Sequence, residues 1–134
     1  MINGKNEKNN LKLMLADFCY FNRNTFGSRY TPLNIGLLAQ YTNQEFGENI
    51  SISLYKSVDK FLNQAKENPP DIVGLAVYYW NTALNQYVVK CLREMFGEKI
   101  VIVLGGRMTS LRYGTPEPHV HGNTFSSRLA VIWR

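Results

Sequence analysis

The sequence predicts an α/β fold: a three-layer α/β/α sandwich around a parallel sheet of four to five strands, flavodoxin-like or Rossmann-like in arrangement. Three observations carry this reading. Short apolar runs alternate with stretches of helical periodicity along most of the chain. The runs at residues 71–77 (DIVGLAV) and 100–104 (IVIVL) are almost wholly apolar, as strands buried on both faces are. A helix-length segment separates each run from the next, which implies parallel pairing through right-handed crossovers.

Residues 11–16 (LKLMLA) form the first apolar run. Thr31-Pro32 then opens LNIGLLAQYTNQEFG, where Pro32 suits the first position of a helix and Gly47 stops it. Ile50, Ile52 and Leu54 alternate with serines, the pattern of a half-buried edge strand. Ser57 followed by Lys60, Phe61, Leu62 and Ala65 marks a second helix, which must end before Pro69-Pro70. After the third strand at 71–77, Leu84, Val88, Leu92, Met95 and Phe96 fall at helical spacing, and Gly97 closes that helix. The fourth strand is 100–104. Residues 129–133 (LAVIW) are a candidate fifth, beyond a stretch with Pro116 and Pro118 that shows no convincing helix. The expected organisation is an N-terminal extension over residues 1–10 without fixed structure, a binding domain over 11–110, and a divergent or truncated tail over 111–134.

At 134 residues the chain suits one domain with a real core. Its net charge of +5 suggests nucleic acid until the charges are located. Residues 11–106 carry nine Lys/Arg against eight Asp/Glu, and the excess sits at the two ends. No basic face is expected, so nucleic acid is not the expected partner. No apolar run approaches the roughly 20 residues of a membrane span. The first ten residues hold no apolar signal core, so the expected compartment is the cytoplasm, with Cys19 and Cys91 as free thiols.

In open α/β sheets, ligands bind at the carboxyl ends of the strands. Four loops meet that condition: residues 17–31, 55–56, 78–81 and 105–110. They contain no paired carboxylates, cysteine cluster or Ser/His/Asp constellation, so binding is better supported than catalysis. The first loop, DFCYFNRNTFG, lacks the G-x-G-x-x-G of a dinucleotide fold. It also lacks the acidic cluster of a phosphoacceptor domain, and Asn24 to Ser28 suggests a flavodoxin-like phosphate loop only weakly. His119 and His121 lie at a spacing that puts both rings on one side of an extended segment, but with Glu117 alone nearby they fall short of a metal set. The pair Gly105-Gly106, directly after a fully apolar strand, is the strongest signal, because bare backbone lets a ligand approach closely.

The order LKLMLAD, TPLNIGLLAQYT, PPDIVGLAVYYWN and IVIVLGGR resembles the cobalamin-binding domain that stands N-terminal in many B12-type radical S-adenosylmethionine proteins. The resemblance covers residues 11–106 and implies a corrinoid cofactor. It implies as cofactor-binding residues Asp17, Gly27 and Ser28 after the first strand, and Tyr78, Tyr79, Trp80 and Asn81 after the third. Gly105, Gly106, Thr109 and Ser110 follow the fourth. The glycines would give a side-chain-free floor, the aromatics a wall, and Thr109 and Ser110 hydroxyl anchors.

The departures from related domains are specific. The Asp-x-His-x-x-G that supplies a lower cobalt ligand in mutases and methionine synthases has no counterpart here, since Asp17 is followed by Phe18, Cys19, Tyr20 and Phe21. The resemblance therefore implies base-off binding without a histidine ligand. Cys19 as a cobalt ligand is less favoured than Cys19 as a small buried thiol. Cys19 and Cys91 also cannot make the Cys-x-x-x-Cys-x-x-Cys iron-sulfur motif of the radical enzymes. The chain is expected to be non-catalytic by itself, a carrier domain that works with a radical S-adenosylmethionine domain or protein. A flavin or nucleotide binder on the same fold, and a fragment that has lost its ligand, remain the alternatives.

Overall fold

The computed structural model describes residues 10–20 and 31–106, together with the backbone of residues 129–132. In chain order the elements are β1 (Leu11–Ala16), α1 (Leu33–Phe46), a short 3-10 turn (Gly47–Asn49), β2 (Ile50–Tyr55), α2 (Val58–Glu67), β3 (Ile72–Ala76), α3 (Thr82–Phe96), β4 (Val101–Gly105) and β5 (Leu129–Ile132). All strand pairs are parallel, in the order β2-β1-β3-β4-β5. The chain moves one way from β1 to β2 and then the other way through β3, β4 and β5, so the strand order reverses between β1 and β3.

Side chains alternate across the sheet and build two unequal cores. On one face Met14, Ala16, Val73, Leu75, Ile102 and Leu104 pack against Phe61 and Ala65 of α2 and Val88 and Leu92 of α3. Phe61 has no exposed surface and meets Phe18 and Tyr55 edge to face, with ring centroids 5.3 and 5.4 Å away. On the other face Leu13, Leu15 and Ala76 pack against Ile35, the one buried residue of α1. Val101 and Val103 of β4 point to this second face and join neither cluster. The result is three layers, with two helices on one face and one on the other.

The helices begin and end for local reasons. The Ser57 hydroxyl accepts the Lys60 N–H at the start of α2, and Gly47 and Gly97 take positive φ at the ends of α1 and α3. Pro32 stands one residue before α1, at the cap, and not at the first helical position that the sequence suggested. The edge position of β2 matches the sequence reading, but the expected alternation breaks at Leu54, which is exposed while Ser53 is half-buried.

Two strand boundaries differ from expectation. Asp71 lies before β3, where its carboxylate accepts the Lys12 N–H at 2.8 Å and its own N–H donates to the Lys12 carbonyl at 3.0 Å. Gly105 belongs to β4, because the Val77 N–H donates to its carbonyl at 2.6 Å and carries the pairing one step further. The fifth strand, read from residues 129–133, is observed at Leu129–Ile132. No helix among the described residues is long and apolar enough to cross a membrane.

Candidate functional site

The crevice made by the reversal of strand order lies at the carboxyl ends of β1 and β3. Asp17 and Phe18 leave β1 there, and Val77 to Asn81 leave β3. The two strand ends are laced together by one amide. Asn81 is fully buried; its Nδ2 donates to the Phe18 carbonyl at 3.1 Å and to the Ala76 carbonyl at 3.0 Å, while its Oδ1 accepts the Tyr78 N–H at 2.8 Å. Asn85, one helical turn later and also fully buried, donates to Asn81 Oδ1 at 2.9 Å and to the Ala76 carbonyl at 3.2 Å. Its own Oδ1 is buried without a hydrogen-bond partner among the described residues.

This network locates the sequence candidates. Asn81 is bonded within the fold: its amide holds the loop and positions its neighbours. Asp17 is buried, and its N–H donates to the Tyr55 carbonyl at 3.0 Å. Phe18 is sealed in the core beneath the edge. The Cys19 thiol is directed at the Lys56 carbonyl, 3.8 Å away. These contacts favour the plain role for Cys19.

The aromatic residues divide by face. Tyr78 packs with the α1-side core and lies stacked on Trp80, with centroids 4.5 Å apart and planes within 8°. Tyr79 is three-quarters exposed and meets Trp80 edge to face at 5.0 Å. The Tyr78 hydroxyl accepts a hydrogen bond from Asn34 Nδ2 near the start of α1. That bond spans the mouth of the α1-side face and sets the flank of α1 that turns toward β3.

The two glycines differ sharply. Gly106 has φ +133°, and a Cβ built there would meet the Val77 carbonyl oxygen at 2.1 Å. Glycine is therefore required at Gly106 by the protein's own backbone. A Cβ on Gly105 would meet nothing within 4 Å among the described residues. By alternation Gly105 points with Val101 and Val103 to the open, α1-side face, where it leaves an unfilled cradle beside Ala76 and Tyr78. Nearby, Gly74 is crossed by the Leu15 side chain, 2.5 Å from where a Cβ would be.

Gly27, Ser28, Thr109 and Ser110 lie outside the described residues, as do His119 and His121. Among the described residues no three His, Cys, Asp or Glu side chains gather as a metal set. A hollow of about 200 Å³ lined by Lys12, Ser51, Ser53, Tyr55, Gln64 and Asn68 lies on the α2 side of β1 and β2, and of the four candidate loops it meets that of residues 55–56, through Tyr55.

Asn34 and Asn85 were not singled out by sequence. A legible signal existed only for Asn85: two asparagines spaced by four at a helix start can bond to each other and to strand-end carbonyls. Comparison with protein-family models, curated proteins and solved structures finds no match to this chain.

Proposed function

We propose that this chain is a corrinoid-binding domain whose ligand lies against the carboxyl edge on the α1 side of the sheet. The observation that carries the reading is the difference between the faces. On the α2/α3 side, packed side chains cover β3 and β4 and the hollow lies over β1 and β2, whereas on the α1 side β4 ends at Gly105 in a cradle that a Cβ would occupy. A broad, largely apolar disc with amide arms suits the carboxyl end of that face: bare backbone at Gly105 and aromatic rings at Tyr78 and Trp80.

In the proteins this sequence resembles, the corrinoid carries methyl groups or supports radical chemistry. Here the chain's own contribution is to hold and orient. Asn81 fixes the loop that presents Tyr78 to Trp80, and Gly106 lets β4 end close to Val77. Asp17 and Phe18 are buried, and the Cys19 thiol is directed at the Lys56 carbonyl. As the resemblance implies, the reading is base-off binding without a histidine ligand by a non-catalytic carrier domain, and a radical S-adenosylmethionine domain is the proposed partner.

The test is titration of the purified chain with hydroxocobalamin, followed by desalting and a visible spectrum. One equivalent retained, with the base-off spectrum, is expected. Loss of all corrinoid on desalting contradicts the reading, and retention of FMN in its place moves the assignment to a flavin binder.

A further inference from the structure

The surface of α1 is unlike that of the other helices. Leu33, Leu37 and Tyr41, spaced by four, are each more than 60% exposed, and Leu38 beside them is half exposed. Glu45 is the only charged residue in its 14 positions, whereas the ten of α2 hold Asp59, Lys60, Lys66 and Glu67. Apolar side chains in water at this density mark an interaction surface.

The orientation of this stripe follows from the bond between Asn34 and Tyr78, which turns one flank of α1 toward β3. On a helix Leu38 and Tyr41 share the flank of Asn34. They therefore border the sheet face that holds Val101 and Val103, which no described helix covers, and Leu33 and Leu37 rise beside them as a ridge. A ridge and a trough lie side by side on one molecule.

We infer that this face joins a second copy of the chain, with the α1 ridge of each copy seated in the trough of the other. Adjacent ridge and trough are what a two-fold interface requires, because the same patch must complement itself. Charge points the same way: the chain carries +5, and two copies meet with less like-charge repulsion along α1, which holds no Lys or Arg. The four exposed residues Leu33, Leu37, Leu38 and Tyr41 offer on the order of 500 Å² per copy, or about 1,000 Å² in all, the lower end for specific association. The dimer is accordingly weak and reversible. It does not rest on the corrinoid reading, since the stripe belongs to the ligand-free chain.

Sedimentation velocity of the ligand-free chain over a range of concentrations tests the inference. The mass is expected to rise from 15.4 kDa toward twice that value as concentration increases. The double variant Leu37→Lys, Tyr41→Lys is expected to stay monomeric with an unchanged thermal melt, while Tyr87→Lys, at an exposed site on α3, associates like the wild type. A wild-type chain that remains at 15.4 kDa throughout overturns the inference, as does undiminished association of the double variant.

Discussion

The two faces of one sheet have opposite characters. The face under α2 and α3 is built from interlocking side chains with no exposed surface, among them Phe61, Val73, Val88, Leu92, Ile102 and Leu104. The face under α1 buries a single helical residue and leaves Val101, Val103 and the Gly105 cradle outside any core cluster. A parallel sheet in an α/β protein is normally covered on both faces. The contrast separates the two tasks: stability resides on the closed face, and recognition is proposed for the open one.

The largest expected effect comes from opening the closed face. Phe61→Ala removes a fully buried ring and its two aromatic neighbours, a loss of about 3–5 kcal/mol. That is a large share of the ~5–15 kcal/mol of a small domain, so urea denaturation should show a strongly lowered midpoint or no folded baseline. Next is the crevice between the faces. Asn81→Ala leaves the Tyr78 N–H and the Phe18 carbonyl without the partner each has now, at a cost of about 2–3 kcal/mol. Because the same amide holds the loop, Trp80 fluorescence should also shift in the folded variant. An Asn81→Ala variant as stable as the parent would mean that the network is incidental.

How far the site was legible in the sequence can be argued from the same residues. The strands and helices announced themselves because apolar periodicity and Pro, Gly and Ser punctuation agree along the chain, as at Ser57 and Gly97. The sequence also marked Gly105-Gly106 as a place of close approach. It could not say that the two glycines do different things, because that depends on which strand-end carbonyl each one faces. Nor could it separate Asn81 from Tyr78: both follow β3, yet one is bonded inward on every side and the other leans on α1. The unequal cover of the sheet was hidden too, since an apolar helix such as α1 reads as buried until its neighbours are known.

That distinction between the glycines also changes which substitution is informative. Gly106→Ala places a methyl against the Val77 carbonyl at a positive φ, and should destabilise the chain by about 1–3 kcal/mol whether or not a ligand binds. A loss of binding in that variant would report on the backbone alone. The Cβ that Gly105→Val brings to the cradle meets nothing within 4 Å among the described residues.

The most direct measurement is therefore the hydroxocobalamin affinity of Gly105→Val set beside its thermal melt. The melting temperature should be unchanged or slightly higher, since a β-branched residue replaces glycine in a strand, while corrinoid affinity should fall at least about tenfold, or 1.4 kcal/mol. Parental affinity in the folded variant would contradict the claim that the ligand lies on the open face at Gly105.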